Sequence, residues 1–491
     1  MRGKRESRNS CSEFLELLRP VRKKWLAPEA RFQISISYQT GVQPTERTVE
    51  VSDAFGLGLD VTREFIIYDD LTLEIGPRDI VYITGDSGSG KSVLLRWLEQ
   101  ALKPDTVNIT DVKPDPEKPL VDTLGKTTGE ALKLLTAAGL GDAYLFLRRY
   151  PELSDGQKYR YKIARMMESG AQYWFFDEFC SLLDRDTAKI VAFNVQKLAR
   201  RLGKSVIAAT THRDLFDDLA PTVHVHKRFG REVKVRYYPG NKAEECSLVR
   251  EMRVEEGGIE DWRRLAGFHY RSHRIAAPRK IFCLRRGDEL CGVIVYCYPP
   301  VACFGRRKVL PKMGMKELNE KLSIISRVVV HPKYRGIGLG AKLVKETLPK
   351  AGTPYVEMVA VMARYNPFAE KAGMQRIAEQ PPAKQALAIA ETLRQLGFNT
   401  QLLGSISYVM RRLKTLKPEQ LQLLREAFIQ NKLPRIMKYL SSHKPYAETN
   451  LYAEKIRRAN VEKLATLVRV CGLLLQTKVY LFWSCKGKGE N

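Results

Sequence analysis

What this chain lacks narrows its function before any motif is read. Its nine cysteines form no C-x-x-C pair, which excludes a zinc ribbon or a disulfide scaffold and predicts a reducing compartment, the cytoplasm. Cys180 and Cys291 stand among apolar neighbours, as small core residues do. No uninterrupted apolar run approaches the ~20 residues of a membrane span, and the basic N-terminal segment has no apolar stretch of signal-peptide type. Internal repeats and low-complexity tracts are missing too. Acidic residues are short: 55 Asp+Glu face 82 Lys+Arg, a net charge of +27. A surplus that large suits a polyanionic partner, nucleic acid first among them. At 491 residues the chain has room for two to four domains, each with its own core.

The most informative stretch is Val81-Tyr-Ile-Thr-Gly85-Asp-Ser87-Gly88-Ser-Gly90-Lys91-Ser92-Val93. An apolar run followed by G-x-x-x-x-G-K-S predicts a buried strand, a glycine-rich turn and a helix. Glycines let backbone N–H groups crowd around phosphate oxygens, and the helix N-terminus adds partial positive charge. Lys91 then reaches the outer phosphates of ATP, and the Ser92 hydroxyl is a Mg²⁺ ligand. Farther on, Tyr173-Trp-Phe-Phe-Asp177-Glu178 is an apolar strand ending in two carboxylates. Asp177 suits the Mg²⁺ shell and Glu178 the attacking water. Val206-Ile-Ala-Ala-Thr-Thr-His212 is a further buried strand, ending in a histidine. Upstream of the glycine turn, alternation near 48–52 and 64–75 predicts antiparallel strands.

With Leu153-Ser154-Asp-Gly156-Gln157 and Ser181-Leu-Leu-Asp184 between them, these pieces resemble an ABC-type ATPase domain over residues 40–230. The resemblance makes GDSGSGKS a Walker A loop, LSDGQ the ABC signature, Asp177 and Glu178 the Walker B carboxylates, SLLD the D-loop and His212 the switch histidine. It implies a homodimer in which Ser154, Gly156 and Gln157 contact ATP held by a second copy, and it places Phe55 on adenine. No glutamine lies between Gln100 and Gln157, so the family's Q-loop has no match, and Asp122 is the candidate substitute. The short stretch from Lys91 to Ser154 favours an ATPase that grips no membrane subunit.

The second half repeats the design. Short basic strands near 222–238 join the two halves. A helix follows from Ile259, then a hairpin around Arg286-Gly-Asp288. Ser323-Ile-Ile-Ser-Arg-Val328-Val-Val330 is a strand, and His331-Pro-Lys-Tyr-Arg335-Gly336-Ile-Gly338-Leu-Gly340-Ala341 is a second glycine loop opening a helix. Strand, basic loop and helix N-terminus again suit a pyrophosphate. With the strand Tyr355 to Met362 and Asn366-Pro-Phe-Ala-Glu-Lys-Ala-Gly373, residues 255–380 resemble a GNAT acyltransferase. The resemblance implies acetyl-CoA, its pyrophosphate on the backbone from Arg335 to Ala341 and Asn366 near its arm. Ala369 stands where many GNAT enzymes carry a tyrosine acid, with Tyr365 nearby, and the candidates for a base are His269, Tyr270 and Glu357.

From 381 the chain is basic, with helical spacing at 385–396, 418–429 and 457–476. The expected fold is α/β: a basic extension (1–50), an ABC-type P-loop ATPase domain (51–230), a linker (231–254), a GNAT-like α/β domain (255–380) and a helical C-terminal tail (381–491). The function expected is ATP-dependent acyl transfer to nucleic acid, RNA above DNA. Two alternatives stand beside it: an ABC ATPase of repair or chromosome-maintenance type with a non-catalytic acyl-CoA sensor, and an ATP-gated acetyltransferase acting on proteins or small molecules.

Overall fold

The computed structural model describes residues 30–40, 45–57, 63–269, 275–433 and 451–485. They form two compact units, and the cut between them passes through the second half of the chain. Of these described residues, the first unit holds those up to 269 with segments 282–293 and 328–343, and the second holds the others.

The first unit is built on a six-stranded sheet of order β4-β5-β6-β3-β7-β8, where β3 is Ile80–Gly85, β4 Thr106–Asn108, β5 Tyr173–Phe176, β6 Ser205–Thr210, β7 Val223–Lys227 and β8 Val233–Tyr237. Strands β4, β5, β6, β3 and β7 are mutually parallel and β8 is antiparallel at the edge. The central strands are buried along their whole length, as the unbroken apolar runs require. Alternate residues feed two cores. Tyr82, Trp174, Phe176 and Ala208 point to one face, and Val81, Ile83, Phe175 and Ile207 to the other. Because the strands are parallel, the C-terminal ends of β3, β5 and β6 meet along one rim. That rim carries Gly85, Asp177 and the segment leading to His212.

Ahead of this sheet, β1 (Ala30–Thr40) and β2 (Arg63–Ile75) pair antiparallel. The segment expected as a strand near 48–52 is instead part of a helix, Glu46–Phe55. Thr45 caps it by accepting the Thr48 N–H, and Gly56 ends it with φ of 63°. Two good caps outweigh a short alternation of valines with polar residues.

Also in the first unit, β9 (Met252–Glu256) pairs antiparallel with residues 282–286 of β10 (Pro278–Arg286). Strands β10, β11 (Glu289–Cys297) and β12 (Leu322–Val330) each contribute residues to both units. In the second unit, β12 pairs parallel with β13 (Tyr355–Ala360) from Leu322↔Tyr355 to Ile325↔Met358. The tail returns to this sheet. After β14 (Gln375–Gln380), helices Lys384–Gln395, Ile406–Lys414, Pro418–Gln430, Tyr452–Arg457 and Val461–Leu474 surround a core of their own. Then β15 (Lys478–Ser484) inserts antiparallel between β13 and β14. A strand at this position was not foreseen in the sequence. Among the described residues no helix is long and apolar enough to cross a membrane.

Candidate nucleotide and acyl-CoA sites

The P-loop is shaped by close backbone approach. Gly85 ends β3 at φ 150°, and a Cβ there would overlap the Lys227 carbonyl oxygen of β7. Gly88 and Gly90 follow at φ 74° and 100°, conformations that L side chains seldom adopt. Gly90 is also the N-cap of the Lys91–Ala101 helix, with no side chain capping it, so the first amides of that helix are left for a ligand. Tyr68 braces the loop from β2, its hydroxyl donating to the Gly90 carbonyl at 3.0 Å. The wholly buried Lys227 ammonium lies 5.3 Å from the Tyr68 ring centroid.

Within this frame the expected residues come together. Lys91 donates to the Asp86 carbonyl at 2.6 Å. Burial lowers its pKa, against the carboxylates of Glu178, Asp86 and Asp177. The Ser92 hydroxyl donates to Asp177 Oδ1 at 2.9 Å, which sets the two oxygens a magnesium ion would take on one side of the loop. Ser89 Oγ, buried inside the loop, has no hydrogen-bond partner, an orphan that an anion or its hydration would satisfy. Ser87 lies on the exposed outer edge and Val93 in the first turn of the helix. Together these features fit a Mg²⁺-nucleotide triphosphate.

Glu178 follows Asp177 with its carboxylate exposed and φ at 49°, and its N–H donates to Asp177 Oδ1 at 3.0 Å. His212 is half-buried, its carbonyl accepting the Tyr82 hydroxyl. Two residues on, Asp214 takes Arg185 in a two-point ion pair. Ser154 caps the Asp155–Glu168 helix, its N–H donating to the Gln157 side chain at 3.0 Å. A Cβ on Gly156 would lie 3.1 Å from Leu183. The signature is thus packed on the Ser181–Asp184 turn. Asp122 is exposed in a short 3₁₀ turn.

Phe55 is the last residue of its helix and 76% exposed. A second aromatic surface escaped the sequence reading. Tyr38 and Phe65 are directly opposed across β1 and β2, and both rings are exposed. They lie on the same ribbon as Ile67 and Tyr68, which touch Gly90. Only the strand register brings these rings together.

The second glycine loop begins after Val328 and Val330 at the end of β12. Gly336 and Gly338 have φ of 96° and 92°, and both are exposed. The helix Leu339–Thr347 then opens, with Gly340 and Ala341 in its first turn, and the first amides of a helix, which have no partner within it, are the groups that a pyrophosphate cradle uses. The Arg335 side chain is already engaged. Its guanidinium donates to the carbonyls of Val330, Gly141 and Phe268 at 3.0, 2.9 and 3.3 Å, and its N–H donates to the Pro332 carbonyl at 3.4 Å.

The acid and base candidates fare differently. His269 is half-buried with its ring 6.1 Å from that of Trp262, and Tyr270 lies outside the described residues. Glu357 is wholly buried in β13. It accepts Arg306 at 3.0 and 2.6 Å and the Tyr480 hydroxyl at 3.0 Å. A carboxylate so held is a structural anion. Ala369 is buried, Tyr365 half-buried and Asn366 exposed, the last with its N–H on the Met362 carbonyl at 2.9 Å.

Residues 246–374 match the family model described as Acetyltransferase (GNAT) family. The chain is 28% identical over 214 residues to the methionine import ATP-binding protein MetN of Streptococcus agalactiae, covering 34% of this chain and 59% of that protein. It is 28% identical over 195 residues to MetN of Corynebacterium glutamicum, covering 32% and 53%. It therefore spans little more than half the length of these curated relatives. Among solved structures, a dimeric bacterial ABC transporter cassette is similar at 20% identity and a TM-score of 0.30, over 36% of this chain and 93% of that one. Residues 246–374 are a GNAT-family acetyltransferase domain, and the N-terminal third of the chain is similar to ABC-type ATP-binding proteins.

Proposed function

We propose that this chain is an ATP-dependent acyltransferase that moves an acetyl group from acetyl-CoA to a nucleic acid, RNA before DNA. The observation that carries the reading is the presence in one chain of two glycine loops, each ending a strand and opening a helix, beneath a net charge of +27. Backbone amides at Gly88 to Ser92 receive the triphosphate, Lys91 holds its outer phosphates, and Glu178 orients the water. Ser92 and Asp177 hold magnesium, which when bound neutralises phosphate charge. Phe55, Tyr38 and Phe65 are the exposed aromatics available to the base. Closure pairs two copies, with the partner subunit's Ser154, Gly156 and Gln157 completing each nucleotide site and His212 reporting its state. In the acetyltransferase domain, the amides from Arg335 to Ala341 hold the CoA pyrophosphate, and Asn366 contacts its arm.

Buried Ala369 and ion-paired Glu357 favour a second reading, in which the domain binds acyl-CoA without transferring it and the ATPase acts on nucleic acid directly. Labelled acetyl-CoA incubated with the protein, ATP and either RNA, DNA or total protein separates the two. Label on nucleic acid that disappears in Lys91→Ala supports the first. Nucleic-acid-stimulated ATP turnover with no transfer supports the second. Label on protein or small molecules moves the acceptor to that class. In parallel, Glu178→Gln is expected to accumulate an ATP-bound dimer on sizing columns; monomer alone with ATP present overturns the paired arrangement.

A further inference from the structure

The second glycine loop is tied to the ATPase by a set of contacts inside the first unit. Lys333, two residues before Arg335, donates to Asp186 Oδ2 at 2.6 Å, and Arg286 pairs with Asp186 Oδ1 at 2.9 Å. The Tyr334 hydroxyl lies 3.4 Å from the same carboxylate and donates to Glu289 at 2.7 Å. Asp186 sits in the first turn of the helix Arg185–Leu202, which Asp184 caps directly after the Ser181–Asp184 turn. Two turns along this helix, Asn194 Nδ2 is buried and has no acceptor; a Cβ on Gly336 would lie 3.2 Å from it and 3.1 Å from the Thr136 carbonyl oxygen. Arg335 adds its bond to Gly141. The loop therefore rests on one helix at two points.

That helix is also the lever arm of the nucleotide site. From Asp177, bonded to Ser92, the chain reaches Asp186 through a compact turn in which Glu178 and Cys180 hold φ of 49° and 60°. Arg185 clamps the same turn to Asp214, two residues from His212. A turn so constrained transmits a shift at Asp177 to the helix start in place of absorbing it.

We propose that Asp186 is a positioning residue that couples the two sites: nucleotide held at Ser92 and Asp177 sets the Arg185–Leu202 helix, and the helix sets the acyl-CoA loop through Lys333. The proposal rests on the two-ligand reading above. Coupling of this kind is reciprocal, so each ligand tightens the other by one factor, with five-fold the low end of the ordinary range.

The test is calorimetric titration of CoA into the full chain, alone and saturated with Mg²⁺ and a non-hydrolysable ATP analogue. The wild type is expected to bind CoA at least five-fold more tightly with the analogue. Asp186→Asn, which keeps the volume and removes the charge, is expected to reduce that factor to below two-fold while its affinity for the analogue alone is unchanged. Lys333→Gln is expected to do the same, so a folding defect in one variant does not decide the matter. Equal CoA affinity in the wild type with and without the analogue, or a full factor surviving in both variants, overturns the coupling and leaves the two-ligand reading standing. Failure of the wild type to bind CoA under either condition overturns that reading as well.

Discussion

Removing the charge of Glu357 separates architecture from chemistry in the acetyltransferase domain. Glu357 is 0% exposed, receives both arms of the Arg306 guanidinium, and shares Oε2 with the Tyr480 hydroxyl on β15. Arg306 itself is buried and donates a further bond to the Val301 carbonyl at 3.1 Å. In Glu357→Gln the guanidinium keeps its charge and its burial while losing the carboxylate that compensates both. Breaking one side of a buried pair costs about 3–5 kcal/mol. At about 2–4 °C per kcal/mol for a unit of this size, the transition should fall by roughly 6–20 °C. Scanning calorimetry at neutral pH reads it directly. The triple change Arg306→Met, Glu357→Leu, Tyr480→Phe removes both charges and the hydroxyl together, and should recover most of the loss. If Glu357→Gln melts within about 2 °C of the wild type yet loses acyl transfer, the carboxylate is a base and the structural argument is wrong.

Other substitutions probe the nucleotide side. Gly85→Ala forces a side chain onto the Lys227 carbonyl at the last rung of β3 and β7, in a backbone region costing about 1–3 kcal/mol for an L residue. It should lower stability in urea melts and abolish ATP binding by calorimetry, and normal ATP affinity would refute the close-approach argument. His224 and His226 share the Thr84 hydroxyl at 2.8 and 3.0 Å. Burial, with help from His226, pushes the His224 pKa down to about 4 from an unfolded value near 6.5. A depressed histidine pKa means that the unfolded chain binds the proton more readily. Stability is therefore whole above pH ~6.5 and is lost progressively as pH falls towards 4. His224→Asn should flatten that slope in melts recorded across the window; an unchanged slope would assign it to other groups.

The two halves of this protein were unequally legible. Walker A, Walker B and the second glycine loop are local. Each is a strand, a turn and a helix start within about twenty residues, and the chemistry of glycine, lysine and carboxylate is written in the order of the chain. Ser92 and Asp177 are distant in sequence, yet parallel strands ending on one rim bring them within hydrogen-bonding distance. The resemblance to a known ATPase was enough to anticipate that. The helix at 46–55 was misread because a few alternating valines mimic a strand until the caps at Thr45 and Gly56 are weighed.

Composition and motif order by themselves determined that this is an α/β chain with two glycine loops, each set between a strand and a helix, and a strong positive charge. Tertiary structure alone decided what partners those loops have. Glu357 reads as a base until Arg306 and Tyr480, from either side of it in the sequence, close on it. The last strand is an anonymous apolar run until β13 and β14 leave a gap of its width. Asp186 is an ordinary helix-start acid until Arg286 and Lys333 meet it. Each of these contacts joins residues whose separation is settled by how strands are ordered in a sheet, and sheet order is a property of the whole chain's packing rather than of any local pattern.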